Sequence, residues 1–398
     1  MKARALALTG LLLAAMLLTG FAAAAKPAAE PADSLPGQLA DEQLRQIDIA
    51  EIEDYWQTLT REYGGLLPER EMPSLAELLS SEGAGFKLSA VLKGLLGFAV
   101  REIMTNGKLL VTIVMLTVFS MILETLQTAF ERKTVSRVAY AICYIVLLIL
   151  AINSFRIAID YAQHAITSMI SFMMAMIPLL LALLASMGNL VTVSVMHPLI
   201  IFMIHTVGTL VHVLVFPLLF FSAVLHLASA VSDRFKVTQL ANLLRSLAVG
   251  VLGVLLTIFL GVISVQGATG SVTDGVTLRT AKFVTGSFVP VVGRMFSDAA
   301  DTVLSASMLV KNAIGLAGVV IIVFLCALPA IKILVMALIY KACAAVLQPL
   351  GDSPVIGCLD TIGKTLIYVF AALAAVGLMF FLAVTIILAA GNAALMVR

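Results

Sequence analysis

Residues 161–232 read YAQHAITSMISFMMAMIPLLLALLASMGNLVTVSVMHPLIIFMIHTVGTLVHVLVFPLLFFSAVLHLASAVS, 72 positions without one Asp, Glu, Lys or Arg. A transmembrane helix needs about 20 predominantly apolar residues, so the stretch has room for three spans with short connectors, expected near 166–187, 195–214 and 215–231. The whole chain agrees. Of 398 residues 61% are hydrophobic and 12% charged, with a mean hydropathy of +1.08, where a soluble domain carries about 25% charged residues. The missing charge corresponds to chain that meets lipid, and a soluble enzyme is excluded. The expected fold class is all-α: a polytopic helical membrane protein of eight or nine transmembrane helices, preceded by a signal peptide and a small acidic exported helical segment.

Toward the N-terminus, the pattern changes. Lys2 and Arg4 precede an apolar run over 5–18 and a small-residue string over 22–25, the tripartite form of a secretory signal peptide with cleavage expected near Ala24 or Ala25. Residues 1–25 are therefore read as a signal peptide and 26–107 as an exported acidic linker and short-helix segment. Between 26 and 90 there are thirteen acidic against five basic residues, whereas 91–398 holds eighteen basic against ten acidic. The Ala- and Pro-rich stretch 26–37 reads as linker. After it, Ile52, Tyr55, Trp56, Leu59 and Tyr63 recur at helical spacing, with Gly64, Gly65 and Pro68 as stop signals. Ser74 and Glu77 form a capping-box pattern for a second short helix. So small a unit has little core of its own and is expected to dock on the membrane domain or on a partner.

Residues 108–398 form the polytopic membrane domain. A first span is expected near 108–129, followed by a short loop with Arg132, Lys133 and Arg137, which the positive-inside rule places in the cytoplasm. A second span over 138–155 returns outside at Arg156 and Asp160. The three charge-free spans end inside at Arg234 and Lys236, where 234–247 reads as an interfacial helix. A span over 248–266 leads to 268–312, an extracytoplasmic amphipathic or re-entrant element. Residues 314–347, interrupted by Pro329 and Lys332, are one bent helix or a hairpin, and a last span covers 365–389.

Few residues carry chemical promise. Glu124, His205, His212, Lys332 and Lys341 are polar candidates inside apolar runs, where an ionisable group is costly and therefore informative. His205 and His212 stand seven apart, about 10 Å along a helix, too far to share a metal without a third element. Leu350-Gly351-Asp352 resembles part of an intramembrane aspartyl protease motif, but Pro349 replaces its first Gly and no other span supplies an Asp. HExxH, GxSxG and P-loop patterns are absent, the scattered basic residues do not form a nucleic-acid patch, and the four Cys suggest neither disulfides nor a metal. No enzyme activity and no cofactor are expected. Gly250, Gly253, Gly261, Gly315 and Gly318 permit close helix contacts.

Several runs carry a resemblance: Glu53-Asp54-Tyr55-Trp56 leading to Glu62-Tyr63-Gly64-Gly65-Leu66-Leu67-Pro68-Glu69, Lys236-Val237-Thr238-Gln239-Leu240-Ala241-Asn242-Leu243-Leu244-Arg245, and Gly261-Val262-Ile263-Ser264-Val265-Gln266-Gly267. Thr273-Asp274-Gly275, Leu278-Arg279-Thr280-Ala281-Lys282-Phe283, Val292-Gly293-Arg294-Met295-Phe296 and Gln348-Pro349-Leu350-Gly351 extend it. Together they resemble the stage III sporulation protein AE family over essentially the whole mature chain. The resemblance implies a non-catalytic core component of a secretion-like channel complex linking mother cell and forespore in endospore-forming bacteria, needed for late forespore gene expression and development. It implies a place in the mother-cell membrane that engulfs the forespore, with 26–107 extracytoplasmic. The implied partners are other proteins of the stage III sporulation operon, including a secretion-type ATPase, and indirectly a forespore membrane protein.

Family-like residues are densest in 268–312, so Asp274, Arg279, Lys282, Arg294, Asp298 and Asp301 are the candidates for an assembly or pore-lining surface. The alternative function is a self-contained secondary transporter of a small solute or ion, which calls for two related halves with broken spans. Pro178, Pro198, Pro217 and Pro329 are available as breaks, but no convincing internal repeat accompanies them.

Overall fold

Where the sequence suggests turns at Arg156 and Asp160, the chain continues as one helix. The computed structural model describes residues 35–47, 49–63, 88–129, 133–231, 237–288, 292–350 and 354–396, and their regular structure is helical throughout. The helices are α1 (Leu35–Gln46), α2 (Ala50–Tyr63), α3 (Leu88–Thr105), α4 (Gly107–Ala129), α5 (Lys133–Ser186), α6 (Leu190–Leu210), α7 (Phe216–Val231), α8 (Thr238–Phe288), α9 (Val292–Leu347) and α10 (Pro354–Met396). The signal peptide and the short helix expected near Ser74 lie outside the described residues.

Five helical stretches among the described residues are long and apolar enough to cross a membrane, or six if the α3–α4 pair, bent by 45°, counts as one span. This replaces the expected eight or nine. Arg156 and Asp160 suggest a break, and the charge-free stretch has room for three spans where the helices make two long stretches. Arg156 and Asp160 are both exposed on α5; side chains that reach outward leave the backbone ladder intact. Pro178, Pro198 and Pro329 lie inside α5, α6 and α9, as membrane helices tolerate when the freed groups are otherwise satisfied. At Pro217 the helix adjusts without ending: a π turn, Val211–Val215, joins α6 to α7, and the Phe216 amide donates to the Val211 carbonyl. The stretches expected as the interfacial helix 234–247, the span 248–266 and the start of 268–312 run together in α8.

A true reversal occurs at Gly188, whose φ of 85° is open to glycine at little cost. The Gly188 amide donates to the Ala185 carbonyl at 2.9 Å and the Asn189 amide to Leu184 at 3.1 Å, a Schellman closure of α5. At the α3–α4 bend the Asn106 side-chain amide donates to the Glu102 carbonyl and carboxylate at 2.9 and 2.8 Å.

Packing centres on α9 and α10, which form the most extensive pairing, with α10 also touching α5, α7 and α8. The apolar window of α10 is 67% buried and that of α8 only 22%, so α8 is peripheral. The glycines divide accordingly. Gly315 and Gly318 face Leu388 and Met176 at close quarters, whereas Gly250, Gly253 and Gly261 on α8 face open space.

The five long stretches have 39 to 47 residues, about 60–70 Å of helix against a hydrocarbon core of about 30 Å. Even a tilt of about 40°, the top of the usual range, leaves them taller than the hydrocarbon. They are also staggered. Tyr340, seven residues from the end of α9, donates its hydroxyl hydrogen to Ser154 Oγ at 2.8 Å, twenty-one residues into α5. The first part of α5, paired with α4, therefore extends about 20 Å past the α9–α10 turn.

The acidic segment does dock on the bundle. Ile52, Trp56 and Leu59 are buried, the Tyr55 ring meets Phe172 edge-on at 5.3 Å, and Ser307 on α9 donates to Gln43 on α1 at 3.3 Å. Glu53, Asp54, Gln57 and Arg61 occupy the exposed face of α2. Helix α1 itself begins inside the expected linker. Truncating a buried Trp costs about 3–5 kcal/mol, and here that loss falls on a docked helix pair. Trp56→Ala should expose residues 35–63 to limited proteolysis while leaving α5–α10 resistant. Unchanged protection of 35–63 would show that the indole does not hold the segment.

Candidate functional site

The first residues of a helix leave amide hydrogens without intrahelical partners, and in a dry bundle these need an acceptor. At α6 the N-cap Asn189 makes no side-chain cap. Asp274, 83 residues away from Val191 on α8, does so instead. Its Oδ1 accepts from the Val191 amide at 3.0 Å and its Oδ2 from the Thr192 amide at 2.9 Å. A carboxylate also suits the positive end of the helix dipole. The approach depends on Gly270, one turn earlier on α8, where a β-carbon would lie 2.5 Å from Thr192 Oγ1 and 3.1 Å from Thr192 Cα. Beside this cap, both polar atoms of the Asn189 side chain and the Thr192 hydroxyl are buried without a partner.

Lys311 on α9 is fully buried. Its ammonium donates to the Leu388 carbonyl at 3.1 Å and to Asn392 Oδ1 at 2.8 Å, both on α10. Gly391 makes room, since a β-carbon there would come within 2.5 Å of Lys311 Nζ and of Leu184 Cδ2. The α5–α6 reversal and the Lys311 anchor thus share the Leu184 neighbourhood, at one end of the bundle.

The other end, with the α7–α8 and α9–α10 turns, holds a basic group. Asp360 on α10 accepts from Lys341 at 3.1 Å and also pairs with Lys364 one turn along. Arg245 on α8 stacks on the Tyr368 ring, 5.0 Å from its centroid, and reaches the Thr365 hydroxyl at 3.4 Å. Between the two ends, Lys332 sits 5.1 Å from the centre of the Tyr161 ring.

The candidates named from sequence do not converge. Asp274 is buried as a cap instead of lying on an exposed surface, Arg279 is exposed and Asp301 half-buried. The side chains of Glu124, Lys282, Arg294 and Asp298 lie outside the described residues. His205 is exposed, while His212 falls in the π turn, its ring 6.2 Å from Phe216 and its Nε2 buried without a partner. Lys341 is ion-paired. Sequence reasoning missed Lys311, Arg245 and Asp360. Lys311 lies in the stretch 268–312, expected as an extracytoplasmic amphipathic or re-entrant element, yet it shares a helical face with Ser307 and Gly315, which continues into the core. Among the described residues, no three His, Cys, Asp or Glu side chains gather where a metal ion would fit. What the described groups do is bind helix to helix.

Residues 71–391 match the family model for stage III sporulation protein AE. The chain belongs to the stage III sporulation protein AE family. It is 54% identical over 361 residues to the stage III sporulation protein AE of Bacillus subtilis (strain 168), covering 91% of this chain and 90% of that one. No solved structure matches it. The resemblance drawn from the sequence runs is thereby shown, and two of the residues described above, Asp274 and Arg245, lie within those runs.

Removing the Asp274 carboxylate leaves the buried Thr192 amide and the part-buried Val191 amide unpaired, a loss of about 1–3 kcal/mol. Asp274→Ala should lower the unfolding temperature in detergent, and Asp274→Asn, which keeps one acceptor, should lie between it and the wild type. Equal stability of all three would show that the α6 terminus finds other partners.

Proposed function

We propose that this protein is the membrane core of a multiprotein, secretion-like channel complex linking mother cell and forespore, needed for late forespore gene expression and development. The observation that carries the reading is the family match over residues 71–391, which ties an apolar helical bundle to sporulation. In this reading the chain lies in the mother-cell membrane that engulfs the forespore. It has no chemistry of its own, and energy comes from a secretion-type ATPase of the same operon. Other proteins of the operon, and indirectly a forespore membrane protein, complete the assembly.

Two structural features support an assembly role. The long helices stand taller than a bilayer, leaving side surface outside the hydrocarbon, and α8, although it touches α6, α7 and α10, leaves most of its apolar residues unburied. The charge distribution supports six crossings. Arg132, Lys133 and Arg137, then Arg234 and Lys236, mark two turns as cytoplasmic. Lys341 and Lys364 flank a third. The turn at 187–189 and the connection 289–291 carry no charge. With the acidic segment exported and the bent α3–α4 pair as the first crossing, α10 ends on the exported side, and so does Arg398.

Two measurements test the reading. A tagged chain purified in mild detergent from sporulating cells should bring down the ATPase and membrane proteins of its operon; a lone, monodisperse protein under conditions that preserve other membrane complexes would favour a self-contained transporter. A topology reporter joined after Arg398 should be active on the exported side, and one inserted at 232–236 in the cytoplasm. Reporter activity of Arg398 fusions in the cytoplasm would rule out six crossings.

A further inference from the structure

The basic group at the α7–α8 end is one-sided. Arg245, Lys341 and Lys364 carry three positive charges, and Asp360 is the carboxylate that answers them among the described residues, shared between the two lysines. Arg245 has no ion-pair partner there. It is placed by neutral groups, the Tyr368 ring and the Thr365 hydroxyl, and the latter is itself oriented by donating to the Thr361 carbonyl at 2.8 Å. His226 on α7 lies against Arg245 and Asn242.

Two nitrogens in this group are buried without partners: Arg245 Nε and His226 Nε2. A guanidinium fork with an orphaned N–H, next to an imidazole nitrogen also orphaned, is an incomplete oxyanion site. The group is not sealed. Arg245 and His226 are half-buried, and Asn242, Lys364 and, one turn further along α8 from Arg245, the apolar Val249 are exposed. Basic pockets between membrane helices at this level suit anionic headgroups, with the acyl chains lying on apolar helix surface.

We propose that Arg245, with His226 and Lys364 beside it, binds an oxyanion where α7, α8 and α10 meet, namely the phosphate of an anionic phospholipid headgroup. Arg245 supplies the planar fork beside the Tyr368 ring; its contact with Thr365 takes one of five N–H donors, and Nε is among those left to donate to the phosphate. His226 adds a second arm when its Nε2 carries the imidazole hydrogen, and Lys364 adds charge from α10. The ligand then adds a link from α8, the least buried of the five long stretches, to α7 and α10. The inference stands apart from the sporulation reading and does not need it.

The test uses the full chain in detergent, titrated with short-chain phosphatidylglycerol, with phosphatidylcholine or with inorganic phosphate, and read by thermal unfolding and by native mass spectrometry. Phosphatidylglycerol should raise the unfolding temperature and remain bound, while phosphatidylcholine does neither. Arg245→Gln should weaken retention by about tenfold or more, the loss of one strong contact, and Lys108→Gln, a charge removed from the exposed face of α4, should leave it unchanged. Arg245→Lys, which keeps the charge and loses the fork, provides the answer if the Gln variant fails to fold, and should also bind more weakly. An equal response to inorganic phosphate, lost in the same variants, assigns the site to free phosphate. Retention unchanged in both Arg245 variants, or no response to either anion, overturns the proposal.

Discussion

A peptide group inside an apolar bundle has no water to bond, and this constraint organises the whole molecule. Helices satisfy it along their length; their ends do not. The structure therefore keeps ends few. Arg156 and Asp160 are carried on the outside of α5, and Pro178 and Pro329 are absorbed within α5 and α9. At Pro217 a widened turn replaces a break. Where an end is unavoidable, at the α5–α6 reversal, it is closed twice: by the Gly188 turn on one side and by the Asp274 carboxylate on the other.

The same constraint explains how polar side chains are distributed. Four cations show how a charge is matched to what its surroundings offer. Lys311, fully buried, takes a carbonyl and an amide oxygen from the last turns of α10. Lys332 takes an aromatic face, Lys341 a carboxylate. Arg245 takes a ring and a hydroxyl yet keeps a buried N–H unused, which separates it from the others. These contacts tie α9 to α10, α9 to α5 and α8 to α10, the pairs through which a tall bundle keeps its register.

A functional role of assembly follows more naturally from this arrangement than one of local chemistry. The polar groups are dispersed along the bundle axis, each attached to a neighbouring helix, and the acidic N-terminal helices lie on α5 and α9 with their charged face outward. The glycine pattern separates the interior from the surface in the same way: Gly315 and Gly318 are used inside, whereas Gly250, Gly253 and Gly261 remain open on α8.

The sequence by itself determined that the chain is helical and apolar, that Ile52, Trp56 and Leu59 form one buried stripe, and which family the runs around Asp274 and Arg245 belong to. Composition and periodicity report average surroundings, and those follow from side-chain transfer energies alone. Only the tertiary structure decided the number of helices, because a charged residue on a helix and one in a turn look alike until its neighbours are known. It also decided the roles of the candidates. Asp274 read as a surface charge because its partners, the Val191 and Thr192 amides, are backbone groups that no side-chain pattern reveals. Lys311 does not stand out in the sequence because Leu388 and Asn392 lie on a helix far along the chain. A buried polar group is defined by what completes its hydrogen bonds, and that is a property of packed helices and not of the segment that carries it.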